Sequence, residues 1–356
     1  MSGEETAPAE HTWPDILSHL VAGHDLDSGS AAWAMEQVMS GAASPAQVAG
    51  FLMALAAKGE TVDEVRGVAD SMLAHATALT VPAPSLDIVG TGGDRANTVN
   101  ISTMASIVTA ATGVTVVKHG NRAASSKSGT ADCLEALGLD LSLSPDQVAS
   151  IAHEVGITFC FAQVFHPSMR HAAGPRRDLG VPTIFNVLGP ITNPARPTYS
   201  VVGVASARMA PIVAGVFAAR GTDAAVFRGD DGLDELTITT TSRVWWVKDG
   251  RVQEFVVDPQ RYGIQTAPIE TLRGAEPAHN AAVVLELLGG RQWPVRSAVL
   301  LNAGIAVAVA EAQSVNDQLG FEQALAAGVE RAAQAIDSGA ASAKLQQWRL
   351  ATLADR

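Results

Sequence analysis

Two glycine-rich turns, each following an apolar run typical of a strand, are the features of this chain best suited to chemistry. The first reads Gly90-Thr91-Gly92-Gly93-Asp94, and the second reads Lys118-His119-Gly120-Asn121-Arg122. Glycines let backbone N–H groups approach an anion closely, and the N-terminus of a following helix adds its dipole. No carboxylate stands between Asp94 and Asp132, although four cationic residues do: Arg95, Lys118, Arg122 and Lys127. The pattern favours a site that binds a polyphosphate.

A run of acids farther along the chain, at Asp230, Asp231, Asp234 and Glu235, directly follows an apparent strand. Such a run is often only a solvated turn. Like charges this close repel each other unless a cation neutralises them. Mg²⁺ typically uses one or two carboxylates together with phosphate oxygens of a substrate, so the run also suits a magnesium site.

Further motifs accompany the two turns. Asn100-Ile101-Ser102-Thr103 has the composition of a helix start, and Ser125-Ser126 follow the second turn. The other motifs are RHAAGPRRDLG at 170–180, FNVLGPITNP at 185–194 and DGLDE at 231–235. In this combination, and from about Trp13 to the C-terminal helices, the chain resembles the anthranilate phosphoribosyltransferase family, a branch of glycosyltransferase family 3.

The resemblance implies a reaction and a set of binding residues. The phosphoribosyl group of 5-phosphoribosyl 1-pyrophosphate would be transferred to the amine of anthranilate, which gives N-(5-phosphoribosyl)anthranilate and pyrophosphate. This is the second step of tryptophan biosynthesis from chorismate. The residues implied in binding 5-phosphoribosyl 1-pyrophosphate are Gly90, Gly93, Asp94, Thr98, Asn100, Ser102, Thr103, Lys118, Gly120, Asn121, Ser125, Ser126 and Thr130.

The resemblance also implies an acceptor site and a metal. Anthranilate is expected to contact Gly90, Asn121 and Arg176, whose guanidinium fork suits a carboxylate. The implied metal ligands are Ser102, Asp234 and Glu235, with Mg²⁺ as the cofactor at two ions per subunit. Asp230 and Asp231 are left as helpers or bystanders.

No residue is assigned as a general base. His119 lies between the phosphate and acceptor motifs, where it could orient the amine or serve only the structure. An aromatic amine that attacks an oxocarbenium-like carbon needs positioning more than proton transfer. Proximity and stabilisation of the leaving group are therefore expected to supply most of the rate.

Two alternative functions use the same scaffold. A pyrimidine nucleoside phosphorylase shares the architecture and a related glycine turn, but it does not need the metal carboxylates or the segment around Arg176. A non-catalytic relative that binds nucleic acid should show basic patches and lose the Asp234-Glu235 pair. This chain keeps the pair and has a formal net charge of −12, which argues against nucleic acid as a partner.

Composition indicates a globular protein. A length of 356 residues suggests two domains, with 47% apolar and 17% charged residues. The first residues carry acids where a signal peptide needs cations, and the apolar stretches are too short to span a bilayer. Cys133 and Cys160 lack a metal-like spacing and are expected to be buried thiols. We therefore expect a cytoplasmic enzyme without a membrane partner, and the resemblance adds a homodimer.

The elements that position these residues follow from hydrophobic periodicity. Residues 12–78 read as helices, with capping boxes at 44–47 and 61–64. From Leu86 short apolar runs alternate with helices, which predicts a mainly parallel sheet with ligands at the carboxyl ends of its strands. The candidate strands are 86–89, 114–117, 158–161, 199–204 and 224–227, followed by an antiparallel addition at 237–241, 243–248 and 252–257 with a hairpin at 249–250. After about Glu276 the chain reads as helices.

The predicted fold class is α/β, with a small discontinuous all-helical domain and a larger domain with a mainly parallel sheet flanked by helices. The N-terminal helical domain is expected over 1–82. The resemblance implies that 166–197 returns to it, which leaves 83–165 and 198–356 for the domain that binds 5-phosphoribosyl 1-pyrophosphate. Relatives more often place a proline one residue before Pro175, so the backbone path ahead of Arg176 is open.

Overall fold

The structure, a computed structural model, describes residues 11–123, 127–312 and 315–354. Its helices are α1 (Trp13–Val21), α2 (Ser28–Met39), α3 (Pro45–Lys58), α4 (Val62–Ala74), α5 (Ile101–Ala111), α6 (Thr130–Ala136), α7 (Pro145–Val155), α8 (Ala162–Phe165), α9 (Arg170–Leu179), α10 (Phe185–Leu188), α11 (Met209–Arg220), α12 (Pro277–Leu288), α13 (Pro294–Glu311), α14 (Gln318–Asp337) and α15 (Ala340–Leu353). Its strands are β1 (Leu86–Gly90), β2 (Val116–Gly120), β3 (Ile157–Phe161), β4 (Tyr199–Gly203), β5 (Asp223–Gly229), β6 (Ser242–Lys248) and β7 (Arg251–Val257).

The chain divides into two compact units, one of residues 1–76 and 167–185 and one of residues 77–166 and 186–356. The smaller unit is helical and is interrupted in sequence, and the larger unit holds the sheet. Residues 186–197, which the resemblance placed with the helical domain, fall in the larger unit. One reason is that the Asn193 amide donates to Asp87 Oδ2 and to the carbonyl of Val117, two strand residues. The domain boundaries proposed from sequence stay a prediction.

Side-chain caps set where the helices of the smaller unit begin. Ser44 and Gln47 form a capping box at α3, and Thr61 and Glu64 form another at α4, so both predicted boxes are confirmed. Each box satisfies two backbone N–H groups that a helix start would otherwise leave unpaired. The caps therefore fix the register of the apolar faces that follow.

The apolar faces of these helices meet in a small core. The rings of Trp13 and Phe51 lie 6.0 Å apart, edge to face, and both side chains are buried. Helices α2 and α4 approach so closely that a Cβ on Gly67 would lie 2.1 Å from the carbonyl oxygen of Ser28. Helix α9 packs against α2 and α3. The segment 167–185 thus completes this unit from a distant part of the sequence.

The larger unit is built on one sheet, with strand order β3-β2-β1-β4-β5-β6-β7. Strands β1 to β5 are parallel to their neighbours, and β6 and β7 add antiparallel. The predicted hairpin is confirmed, because Asp249 (φ 49°) and Gly250 (φ 70°) both adopt positive φ in the β6–β7 turn. Residues 237–241 form no strand, which corrects the prediction there. Their hydroxyls instead bond to the acidic turn, as described below.

Helix α13 is the central helix of this unit and packs against α5 and α14. It is long and apolar enough to cross a membrane by length and composition, but 72% of it is buried inside the fold. Gly304 on α13 and Gly328 on α14 let the two backbones touch, since a Cβ on Gly328 would lie 2.1 Å from the Gly304 carbonyl oxygen. Its apolar sequence is therefore explained by burial in the core.

The strand order reverses between β1 and β4. The chain moves from β1 to β2 and β3 on one side, and from β4 to β5 on the other. In open α/β sheets such a reversal leaves a crevice at the carboxyl ends of the two central strands, where ligands bind. Here those ends are Gly90 and Gly203, which are paired in register. The first glycine turn therefore begins at the switch point of the sheet.

Candidate active site

Gly90 and Gly203 admit the acidic loop to the end of the sheet. A Cβ on Gly203 would lie 1.5 Å from the carbonyl oxygen of Asp234, and a Cβ on Gly90 would lie 2.3 Å from Asp234 Oδ2. The N–H of Gly92 donates to Asp234 Oδ2 at 2.6 Å. The glycines of the first turn thus accommodate a carboxylate of the protein itself.

Three carboxylates meet at this point: Asp94, Asp234 and Glu235 each offer an oxygen, and these oxygens lie within 4.8 Å of one another. Asp94 Oδ2 and Glu235 Oε2 are buried and have no hydrogen-bond partner among the described residues. Burial, with the nearby Asp94 charge, raises the pKa of Asp234 to about 7. Burial, with Asp234, raises the pKa of Glu235 well above its ordinary value. Buried, mutually repelling carboxylate oxygens are the ligands that a hard divalent cation prefers, so the residues fit a magnesium ion.

Asp94 belongs to this carboxylate group, although the resemblance implied it only as a contact of 5-phosphoribosyl 1-pyrophosphate. Asp230 and Asp231 lie outside the group and order the turn. Asp231 Oδ2 accepts from Thr237 Oγ1 at 2.6 Å and also from Thr239 Oγ1, and Asp230 accepts from Thr241 Oγ1 at 2.5 Å. Spacing alone could not separate these acids, because only the strand order brings Asp94 beside the β5–β6 loop.

Helix α5 presents its N-terminus after the first turn, as the Asn100–Thr103 motif predicts. Ser102 and Thr103 lie in its first turn, and Thr103 Oγ1 is buried without a partner among residues 11–123, 127–312 and 315–354. Thr98, just ahead of the helix, donates from Oγ1 to Glu235 Oε1 at 3.3 Å. Thr98 therefore borders the carboxylate group, next to the start of α5.

Lys118 is buried within the sheet, with 1% of its surface exposed. Its Nζ donates to the carbonyl oxygen of Ile88 and, at 3.3 Å, to Ser102 Oγ. Burial lowers the pKa of Lys118 to about 8, while the Asp87 carboxylate opposes that shift. The predicted phosphate-binding cation thus lies beneath the α5 N-terminus and contacts one of the predicted metal ligands.

The second glycine turn leads from β2 to α6. Gly120 ends β2, Thr130 begins α6, and Asn121 Oδ1 accepts from the N–H of Arg122 at 2.8 Å. A Cβ on Gly129 would lie 2.3 Å from the backbone nitrogen of Ala123, so Ala123 and Gly129 approach each other closely. Ser125 and Ser126, predicted to contact the phosphates, lie outside the described residues.

The acid-free stretch of the sequence is not free of acids in space. Arg122 contacts Glu135 at 2.5 Å and Asp132 at 3.2 Å, and Lys127 lies 3.5 Å from Glu276. Two of the four cations that suggested a phosphate site are therefore paired with carboxylates. The remaining support for an anion site comes from Lys118 and from the backbone N–H groups and hydroxyls around α5.

His119 is a neutral, buried imidazole. Its Nδ1 lies 2.9 Å from the carbonyl oxygen of Gly189, which fixes Nδ1 as the donor and leaves Nε2 as an acceptor. Nε2 is buried without a partner among the described residues. Burial, with His166 at a ring distance of 5.2 Å, lowers the pKa of His119 to about 3. His119 cannot act as a cation at neutral pH, although it can accept a hydrogen bond.

Arg176 lies in helix α9 of the smaller unit. Its guanidinium lies 4.7 Å from the centre of the Phe185 ring, and burial lowers its pKa. The helix runs through Pro175, which is buried, and ends at Gly180 in a left-handed conformation. The backbone ahead of Arg176 is therefore helical. Arg177, in contrast, is 81% exposed and pairs only loosely with Asp178, at 3.5 Å.

Comparison with known proteins covers nearly the whole chain. Residues 14–76 match the helical bundle domain of a glycosyl transferase family, and residues 83–342 match its a/b domain. The anthranilate phosphoribosyltransferase of a Nocardioides species is 59% identical, over 96% of this chain and 99% of that protein. The crystal structure of the Thermus thermophilus anthranilate phosphoribosyltransferase is 40% identical, with a TM-score of 0.88 over 95% of this chain and 99% of that one.

A structure of the Saccharomyces cerevisiae anthranilate phosphoribosyltransferase, in complex with 5-phosphoribosyl 1-pyrophosphate and Mg, is 27% identical. Its TM-score is 0.87, over 97% of this chain and 99% of that one. The predicted fold class, a helical domain with a larger α/β domain, is confirmed by these matches. On this identity and coverage, the chain belongs to the anthranilate phosphoribosyltransferase family of glycosyl transferases.

Proposed function

We propose that this protein transfers the phosphoribosyl group of 5-phosphoribosyl 1-pyrophosphate to the amine of anthranilate, releasing pyrophosphate. The supporting observation is the carboxylate group of Asp94, Asp234 and Glu235 at the switch point of the sheet, in a chain 59% identical to a named anthranilate phosphoribosyltransferase. A nucleoside phosphorylase does not need these carboxylates. A nucleic-acid-binding relative would be expected to lose them, and neither alternative is favoured.

Mg²⁺ is the proposed cofactor, at two ions per subunit. Asp234, Glu235 and Ser102 are the proposed ligands, and the structure adds Asp94 as a candidate. The yeast relative contains Mg together with 5-phosphoribosyl 1-pyrophosphate, and the unpartnered carboxylate oxygens here suit the same ion. When bound, the metal neutralises charge on the pyrophosphate leaving group. Without it, the same carboxylates would repel a polyphosphate.

The chain's own residues bind and orient the two substrates in this proposal. The N–H groups and hydroxyls at the start of α5, with Gly93 and the second turn, hold the phosphates. Arg176 receives the carboxylate of anthranilate, with Asn121 and Gly90 as further contacts. His119 accepts a hydrogen bond at Nε2 and helps to orient the amine. No proton-transfer residue is needed, because positioning and charge stabilisation supply the rate.

A homodimer formed through the helical domain and a cytoplasmic location complete the proposal. The two thiols agree with a reducing compartment, since Cys133 and Cys160 are both free and buried. Burial raises the pKa of the Cys133 thiol to about 12, so it is unreactive at neutral pH.

The deciding assay follows the loss of anthranilate fluorescence on addition of 5-phosphoribosyl 1-pyrophosphate. We expect turnover with Mg²⁺ and none with excess EDTA, restored by added Mg²⁺. A matched control without 5-phosphoribosyl 1-pyrophosphate excludes photobleaching. Turnover that persists in EDTA would remove the metal from the proposal, and the absence of turnover with both substrates and Mg²⁺ would refute the activity.

A further inference from the structure

We propose that Asn280, on helix α12, is a positioning residue that orients the amide of Asn100 toward the phosphate site. The inference rests on the proposed function, because it takes Asn100 as a contact of 5-phosphoribosyl 1-pyrophosphate. Asn280 is 180 positions away in sequence and only 2% exposed. A polar side chain buried to this extent must satisfy its hydrogen bonds inside the protein.

A relay of hydrogen bonds with a fixed direction joins Asn280 to the loop after β2. Asn280 Oδ1 accepts from the backbone N–H of Ala275 at 2.9 Å, so its Nδ2 faces the other way. That Nδ2 donates to Asn100 Oδ1 at 2.8 Å. Asn100 Nδ2 in turn points to the carbonyl oxygen of Ser128, at 3.3 Å. The backbone N–H of Ala275 can only donate, so it sets the polarity of the whole relay.

The segment that carries Asn100 is also held by the backbone ahead of α12. The N–H of Val99 donates to the carbonyl of Leu272 at 2.8 Å, and the N–H of Gly274 donates to the carbonyl of Asn97 at 2.8 Å. A Cβ on Gly274 would lie 2.7 Å from the Thr98 carbonyl oxygen and 3.0 Å from Asn280 Oδ1. The start of α12 therefore serves as a close-fitting support for the loop that precedes α5.

The direction of the relay decides what Asn100 offers to an anion. An amide group has two N–H donors, and the acceptor at Ser128 occupies one of them. The second has no acceptor among residues 11–123, 127–312 and 315–354, and it is available to a phosphate oxygen. Were the amide reversed, its oxygen would face the phosphate and the carbonyl of Ser128, and both contacts would be repulsive. The Ser128 hydroxyl also donates to Asn100 Oδ1, at 3.4 Å, but Asn280 supplies the shorter and more buried of the two donors. Asn280 therefore favours the orientation in which Asn100 attracts the substrate.

The substitution Asn280→Asp tests this directly. It keeps the size of the side chain and the acceptor for Ala275 but removes the donor to Asn100, whose amide should then turn its Nδ2 toward position 280. We expect KM for 5-phosphoribosyl 1-pyrophosphate to rise about 10-fold, the lower end for a hydrogen bond to a charged group, with KM for anthranilate changed less than about twofold. Asn316→Asp, on the surface, is the control for the added charge and should match the wild type.

A double-mutant cycle separates positioning from folding. In an Asn100→Ala background, Asn280→Asp should leave KM for 5-phosphoribosyl 1-pyrophosphate unchanged, because the group through which it acts is gone. If Asn280→Asp does not fold, Asn280→Ala takes its place in the same cycle, with the same split between the two KM values expected. An unchanged KM in the Asn280 variant, or an equal rise in both backgrounds, would overturn the inference. Inactivity of the wild type would instead refute the proposed function.

Discussion

Two buried histidines are expected to contribute about 4 kcal/mol of destabilisation when the pH is lowered from about 7.5 to about 5. Burial lowers the pKa of His119 to about 3 and that of His166 to about 4, from an ordinary value of 6.5. In the unfolded chain both imidazoles take up a proton below 6.5, whereas in the folded protein they stay neutral until near 4 or below. The contribution of these two histidines to stability is therefore complete above pH 6.5 and is lost progressively as the pH falls.

The magnitude follows from proton linkage. At about pH 5 the pH lies about 1.5 units below the pKa of a histidine in the unfolded chain. Protonation then stabilises the unfolded chain by about 1.36 kcal/mol for each of these units. Each histidine therefore costs about 2 kcal/mol, and the two together cost about 4 kcal/mol. Because both side chains are almost fully buried, solvent screening does not reduce the effect greatly.

Urea unfolding at both pH values, followed by tryptophan fluorescence, measures the effect. His119→Asn and His166→Gln together remove the titration and keep a donor near Nδ1 for Gly189 and near Nε2 for Thr192. The double variant should lose about 4 kcal/mol less than the wild type on acidification. His153→Gln, an exposed position on α7, is the control and should behave as the wild type. An equal loss in the wild type and the double variant would refute the reasoning.

The remaining predictions concern the site. Asp234→Ala and Glu235→Ala should each lower kcat/KM by about 10²-fold, which is the scale for losing a group that stabilises charge in the transition state. Steady-state kinetics measures this, and unchanged activity in both variants would mean that neither residue binds the metal. Arg176→Ala should raise KM for anthranilate about 10- to 150-fold and leave KM for 5-phosphoribosyl 1-pyrophosphate nearly unchanged. Arg177→Ala, at an exposed position, is the control and should leave both KM values unchanged. The reverse outcome would mean that Arg177, and not Arg176, binds anthranilate. Gly203→Ala places a Cβ 1.5 Å from the Asp234 carbonyl oxygen, so Tm and Mg²⁺-dependent activity should both fall, and wild-type values for both would contradict the close approach.

Local chemistry made much of the fold predictable from sequence. The capping boxes at Ser44 and Thr61 and the hairpin at Asp249-Gly250 depend on residues close together in the chain, and all three are confirmed. The strand predicted at 237–241 is wrong. The threonine hydroxyls of this segment donate hydrogen bonds to Asp230 and Asp231, and its backbone does not pair with a neighbouring strand among the described residues. Short-range hydrogen bonds from side chains can thus replace a ladder that β-branched residues favour.

The site was harder to predict, since its geometry depends on contacts across long stretches of sequence. Spacing identified Asp234 and Glu235 but not Asp94 as their neighbour, because that contact follows from the strand order. Likewise, Arg122 read as a free cation until the fold brought Glu135 to it. Asn280 carried no local signal, because an asparagine in an apolar helix is notable only when its partner is known.

The interrupted sequence of the smaller unit has a consequence for the order of events during synthesis. Helices α1 to α4 end at Ala74, but α9, which packs against α2 and α3, begins only at Arg170. At about 5–20 residues per second, a ribosome needs on the order of 5 to 20 seconds to make the intervening segment. For that time the surfaces of α2 and α3 that contact α9 are uncovered, while β1, β2 and β3 emerge. The smaller unit therefore stays incomplete for this interval, and its folding can finish only after β1, β2 and β3, three of the seven strands of the sheet, have been made.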